Sequence, residues 1–415
     1  MRIKMEIVVK EYIMKLLSSS THTTSININN NFFIKIFFII LFLELFLMGS
    51  GRSLEFGSLT MRMLLYGIAL IYSMVVYLHY YKIHRSIWEL LIFFTFVTSF
   101  SSLIGILNGA DISLIFMDIK PLLYFLMILP FALVINSMES IKLISKLIKY
   151  SAIIMAVVYL LWFALMLLGY LDFGAMYVLL SSETNEIMFR GSDMTNPGLF
   201  YKGFVYMCIG FIFFINYNDK KNNLIAILLL FAIFLTFTRG FIVALALAFL
   251  IQNIIDIKQK KSFTFVIIFS ILLAIAIPAY MLLIGSKGES DQIRITQIMQ
   301  VLDNINIVSL FIGHGFGIGI PIRPNGMEIS YLEIFHKQGL LGLILWFSIL
   351  FHTVFSYIKI KVKTPLVKSL LGGSLFIFMQ SLTNPFINNP IGMSMILISL
   401  LSLQYIYINQ KVTYA

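Results

Sequence analysis

Arginine is placed selectively along this chain. Arg52, Arg62, Arg190, Arg239, Arg294 and Arg323 fall at alternate connections between apolar stretches, and only Arg2 and Arg85 fall among the others. Lysine does the reverse and fills "YKIHR", "KLISKLIK", "NDKK", "DIKQKK" and "KIKVK". A guanidinium grips phosphate through two parallel hydrogen bonds and stays charged when partly buried. Arginines that share one side therefore suit a phosphorylated ligand. Ordinary loop ion pairs are the plainer alternative. Arg239 is the sharpest case, because "FLTFTRGFIVALALAFL" sets it in the middle of the apolar stretch from Leu224 to Ile255. An arginine at a bilayer centre costs at least ~2.5–3.5 kcal/mol. Glu328 and His336, with His314, are candidates for a general base.

The elements that hold these residues follow from composition. The chain has 415 residues, 60% hydrophobic and 12% charged, with mean hydropathy +0.94. Soluble domains carry roughly 25% charged residues, so the chain is expected to be an all-α polytopic integral membrane protein. The formal charge of +11 is spread over short runs between apolar stretches, which serves membrane orientation rather than nucleic-acid binding. A single cysteine, Cys208, excludes a disulfide framework and a cysteine metal site. No small-residue cleavage site follows the first window, which is read as an uncleaved span.

Spans of about 20 residues fit windows at 32–48, 62–81, 87–107, 119–136, 148–170, 199–217, 224–237, 240–255, 263–284, 338–357, 367–383 and 391–408. The windows on either side of Arg239 are short. They predict a tight hairpin whose tip brings Arg239 to a helix end near water. With the N-terminus inside, the lysine-rich turns all return to the inner side, whereas one continuous span over 224–255 would put Lys258, Lys260 and Lys261 outside. The expected organisation is a cytoplasmic segment over 1–31, five spans over 32–170, an outer loop over 171–198, spans with the hairpin over 199–284, a large outer loop over 285–337, and three spans with a cytoplasmic tail over 338–415.

The long outer loops carry the remaining motifs. "FIGHGFGIG" has glycine at alternate positions, which lets backbone turn sharply or approach a ligand, and no βαβ unit surrounds it as a dinucleotide fingerprint requires. A plain re-entrant turn is the alternative, and His314 inside it is as well suited to a structural role. In "MEISYLEIFHKQGLLGLILW", Glu328, Leu332, Phe335 and His336 share helical spacing, and Gly339 and Gly342 admit close packing. A solvated interfacial helix face is the plainer reading. "SLTNPFINNP" is an uncharged turn whose asparagines could meet sugar hydroxyls or simply close the turn.

In order and placement these pieces resemble the Wzy-type O-antigen polymerases and the related O-antigen ligases. The resemblance runs over roughly residues 185–390 and lies in "FRGSDMTNPG", "FTRG", "DQIRITQIM", the Gly-rich turn and "ISYLEIFHKQGLLGL". It implies a GT-C-like membrane enzyme of about twelve spans that polymerises glycan repeat units for lipopolysaccharide. The units are carried on undecaprenyl pyrophosphate at the outer face of the inner membrane, and lipid pyrophosphate leaves. It implies a metal-independent glycosyltransferase without cofactors, working beside a flippase and a chain-length regulator. Arg190, Arg239, Arg294 and Arg323 would then bind the pyrophosphate, and Glu328, His336 or His314 would take the acceptor proton. Many relatives, the ligases especially, carry His-Asn before the "YL", where this chain has Glu328 and Ile329; this weighs against the ligase. A flippase or transporter is the reading from another class. Lys35 and Glu44 are its main ionisable pair inside a span, and the chain has no internal repeat.

Overall fold

The computed structural model describes residues 32–49, 51, 55–56, 59–79, 83–172, 174, 187–189, 198–217, 219–256 and 288–413. Its helices are α1 (Phe32–Leu47), α2 (Met61–His79), α3 (Arg85–Leu107), α4 (Ile112–Leu122), α5 (Ile128–Val134), α6 (Met138–Leu167), α7 (Phe204–Ile215), α8 (Lys220–Leu235), α9 (Arg239–Ile255), α10 (Gly288–Asp303), α11 (Ile307–Ile312), α12 (Ser330–Lys359), α13 (Pro365–Gln380) and α14 (Pro390–Thr413). A 3-10 turn over Leu123–Met127 joins α4 to α5. Two short antiparallel pairs are the β structure of the described residues: β1 (Glu55–Phe56) with β2 (Leu59–Thr60), and β3 (Ile187–Phe189) with β4 (Leu199–Tyr201).

Among the described residues, six helices are long and apolar enough to cross a membrane: Met61–His79, Arg85–Leu107, Ile112–Val134, Met138–Leu167, Ser330–Lys359 and Pro390–Gln410. Phe204–Ile215, Arg239–Ile255 and Pro365–Gln380 are apolar but shorter. Every expected window coincides with a helix except 263–284, which lies outside the described residues. The core is built on α7, α13 and α14. A helix apolar all round must be buried, and in α7 every residue from Phe204 to Phe214 is. Small residues let these helices meet closely: Gly372 leaves room for Ile212 and Gln252, and Gly373 for Met395. The outer helices instead present apolar rows to their surroundings, as α3 does with Trp88, Ile92, Phe96, Leu103 and Ile106. A continuous apolar face of that kind belongs against lipid.

The ends of the helices are chemically distinct. At one end Lys149 sits 3.5 Å over the Tyr217 ring, Tyr357 donates to Asp256, and the Lys361 N–H donates to Gln410. At the other, Tyr201 donates to the Leu47 carbonyl and Asn108 to the His314 carbonyl. The break at Arg239 lies at this second end. Thr236 donates to the Ile233 carbonyl and closes α8. Phe237 takes φ +51, a strained value for a bulky residue that costs about 1–3 kcal/mol. The Phe200–Phe241 and Phe211–Phe249 ring contacts run α9 alongside α7 in the same direction. Tyr159 ties the end of α8 back to the start of α7, so the chain turns back between α8 and α9.

Candidate functional site

Arg239 is the first residue of α9. It therefore stands among the unbonded N–H groups and positive dipole end of that helix. Thr238 caps the helix by position, but its side chain makes no capping bond. The turn after α13 closes over this tip. A Cβ on Gly240 would lie 3.0 Å from Thr383 Oγ1, 3.1 Å from Gln380 Nε2 and 3.4 Å from Asn384 Nδ2, so glycine is what admits these three polar side chains.

Helix α10 supplies the other wall. Asp291, Arg294, Gln297 and Gln300 recur every third residue and so share one face. Gln297 Oε1 accepts the Glu328 N–H and Gln300 Oε1 accepts the Ile322 N–H, each at 3.1 Å, which fastens the 322–328 segment along the helix. A chain of opposite charges results. Arg239 Nη1 lies 3.8 Å from Asp291, longer than a hydrogen bond. Asp291 accepts from Arg294 at 3.3 Å. Glu328 lies 3.2 Å from Arg294 Nε and 2.6 Å from Arg323 Nη2. Three guanidinium groups thus face two carboxylates and leave a net positive charge. Several donors are buried without a partner: Arg239 Nε and Nη2 and Gln297 Nε2. Unmade bonds of this kind cost about 1–3 kcal/mol each, and an oxyanion would satisfy them together.

Beside this cluster lies a cleft of about 330 Å³, lined by Asp118, Lys202, Asn325, Glu333, Lys337 and Asn388 among others. Lys337 is its hub. Its ammonium donates to Asp118 at 2.7 Å and to Glu333 at 2.8 Å, with the lysine side chain 3% exposed. Asn388 donates to the second Glu333 oxygen, and Asp118 also accepts the Gly317 N–H. Ser330 donates to the Asn384 carbonyl and to Asn388 Oδ1. It thereby joins the cleft to the turn that covers Arg239.

The Gly-rich turn serves packing. Helix α12 is broken at Gly339 (φ +63), which leaves carbonyls at the end of Ser330–Gln338 without helical donors. The N–H groups of His314 and Gly315 fill two of them, at His336 and Lys337. Phe316 donates to Ser101 on α3, and a Cβ on Gly315 would fall 2.0 Å from the Gly105 nitrogen. The close approach for which glycine is needed is thus to two helices.

The expected site residues divide. Arg239, Arg294, Arg323 and Glu328 are gathered in one cluster. His314 and His336 face each other with ring centroids 4.7 Å apart, and burial holds the His314 imidazole below its usual pKa. His336 is 4% exposed. Glu328 is not on the helix with His336, because α12 begins only at Ser330. Arg62 lies buried in α2, where its Nε donates to Glu44 at 3.0 Å. Glu44 therefore pairs with Arg62 rather than with Lys35, which is exposed. Arg52 and Arg190 lie outside the described residues, as does most of the 171–198 loop. Sequence reasoning missed Asp291, Asp118, Glu333, Lys337 and Gln297. Only the four-residue spacing of Glu333 and Lys337 was a visible signal.

A curated O-antigen polymerase of Shigella flexneri is 29% identical over 390 residues, which span 91% of this chain and 98% of that protein. Over nearly its whole length the chain is thus similar to an O-antigen polymerase. No family model matches it, and no solved structure does. The match extends beyond the motif-bearing region to nearly the whole chain, first helices included.

Proposed function

We propose that the chain polymerises O-antigen repeat units, as a glycosyltransferase that uses a glycan carried on undecaprenyl pyrophosphate. A hydroxyl of one lipid-linked unit attacks the anomeric carbon of another. The new glycosidic bond forms as the bond to pyrophosphate breaks, the bonding pair leaves with the diphosphate, and the hydroxyl proton passes to a base. The site faces the outer side of the inner membrane of a GT-C-like bundle of about twelve spans, with a flippase and a chain-length regulator as its neighbours.

The observation that carries this reading is Arg239, whose Nε and Nη2 are buried without partners at a helix N-terminus beside Arg294. Such donors suit an anionic leaving group, and fixed positive groups in a water-poor site stabilise developing charge strongly without a metal. Both Glu328 oxygens are held by guanidinium groups, so in this reading it competes with the arriving anion for Arg294 and Arg323 and does not act as the base. His314 and His336 remain as proton acceptors.

Arg239→Lys tests the reading, because lysine keeps the charge and loses the fork. In a deletion strain carrying the variant at normal membrane abundance, lipopolysaccharide on a gel should stop at a single repeat. A full ladder of long chains would remove the Arg239 guanidinium from the chemistry.

A further inference from the structure

We infer that the cleft around Lys337 is a saccharide subsite that seats the hydroxyl-bearing end of the acceptor glycan. The inference rests on the polymerisation reading for the word acceptor, and on the cleft itself for the word saccharide.

Charge separates the two compartments. The arginine cluster carries an excess guanidinium. In the cleft, Asp118 and Glu333 balance Lys202 and Lys337, and the two carboxylates lie on a shared ammonium. A diphosphate entering there would meet two fixed negative charges, whereas a neutral polyol would meet none that it must displace. Its walls suit a sugar ring. Amide groups of Asn325, Asn388 and Asn389 offer donors and acceptors, and Met117, Phe316 and Pro390 offer apolar surface. The volume of about 330 Å³ lies at the low end of the ~300–1,000 Å³ typical of small-ligand sites.

Position separates donor from acceptor. None of Arg239, Arg294 and Arg323 lines the cleft. A glycan attached to a diphosphate on those arginines therefore reaches the cleft only from outside it, across the 325–328 segment. That segment belongs to both compartments: Glu328 binds the arginines, while Asn325 and Met327 line the cleft. Ser330, bonded to both Asn384 and Asn388, fixes the spacing between them. A hydroxyl presented from the cleft would come from the compartment next to the one that holds the leaving group, with this segment shared between them.

The test uses the purified full chain in detergent and two probes. One is a phosphate-free oligosaccharide of the strain's own repeat unit; the other is inorganic pyrophosphate. Met117 and Asn325 are both exposed at the rim, so Met117→Trp and Asn325→Trp can fill the cleft without disturbing buried structure. We expect both variants to weaken oligosaccharide binding by about tenfold or more and to leave pyrophosphate binding at the wild-type level. Arg239→Lys should do the reverse. Failure of the wild type to bind the oligosaccharide, or undiminished binding by both tryptophan variants, would overturn the subsite. Loss of oligosaccharide binding in Arg239→Lys would also overturn it, since the compartments would then be one. Wild-type protein that binds the oligosaccharide but not pyrophosphate would overturn the leaving-group reading and leave the saccharide site standing.

Discussion

Lys337→Met should be among the most damaging single substitutions in this chain. The ammonium lies 2.7 Å from Asp118 and 2.8 Å from Glu333, with side-chain exposures of 3% for the lysine and 10% and 14% for its partners. At an effective dielectric near 20, each contact amounts to several kcal/mol of Coulomb attraction, roughly 4 kcal/mol even at 4 Å. Desolvation of the three groups offsets much of that, so the triad's net contribution is small compared with the effect of breaking it. Removing the ammonium leaves two carboxylates facing each other without the charge that lay between them, and breaking a buried pair in this way costs about 3–5 kcal/mol. Against a total stability of about 5–15 kcal/mol, that is a large share. The single cysteine gives the assay. Cys208 is fully buried in α7, so a fluorogenic maleimide reacts with it only as the detergent-solubilised protein unfolds on heating. The midpoint should fall by several degrees in Lys337→Met. It should recover most of the loss when Asp118→Asn and Glu333→Gln are added, because neutral side chains of similar shape do not need the counter-charge. A wild-type midpoint for the single variant would refute the argument, as would a triple variant no better than the single.

The same thiol readout applies to Glu44→Gln, which leaves the buried Arg62 guanidinium without its carboxylate and should lower stability by about 3 kcal/mol or more; an unchanged midpoint would contradict this. Gly105→Ala and Gly315→Ala place a Cβ 2.1 Å from the Phe316 oxygen and 2.0 Å from the Gly105 nitrogen respectively. Either should loosen the turn from α3, seen as faster amide exchange over 313–317, and unaltered exchange would show that the helix gives way instead. Glu328→Gln removes a negative charge held against Arg294 and Arg323. It should tighten inorganic pyrophosphate binding by about tenfold in calorimetry, and weaker binding would mean that Glu328 positions the arginines more than it competes for them.

The break at Arg239 was legible because an arginine inside an apolar stretch has few physical solutions, and a helix end is the least costly. The membrane class and most helix positions were legible from apolar windows for the same reason. What sequence could not supply was partnership. Lys35 shares the apolar window of Glu44, but the first turn of α2 brings Arg62 to it across the helix interface. Glu328 matched the helical spacing of His336, yet Ile329 is extended at φ −94 and ψ 109 and starts the helix after it. The cleft left almost no trace, because Asp118 and Lys337 lie 219 positions apart and meet only through the fold. The alternating glycines were visible, but their pattern is equally consistent with a ligand and with a neighbouring helix, and only backbone contacts decide between them.

The carboxylates explain how three arginines can stand close together. Without Asp291 and Glu328, the guanidinium groups of α9, α10 and the 322–328 segment would repel one another. With one carboxylate for every arginine the charge would be neutral, and an anion would have nothing to gain. The arrangement lies between these limits. Arg323 and Arg294 are drawn to Glu328, and Arg294 also to Asp291. Arg239 is held only at 3.8 Å, and of these three it is the one with two buried nitrogens unbonded. The under-satisfied group is therefore the one fixed to a helix start, on a tip whose Phe237 is held at φ +51. Strain of that kind persists only where surrounding structure enforces it, here Gly198 against the Phe237 ring and the Gln380–Asn384 turn against Gly240. Arg294 and Arg323 can change partners by side-chain rotation. Arg239 is the one whose nitrogens are left for a further partner.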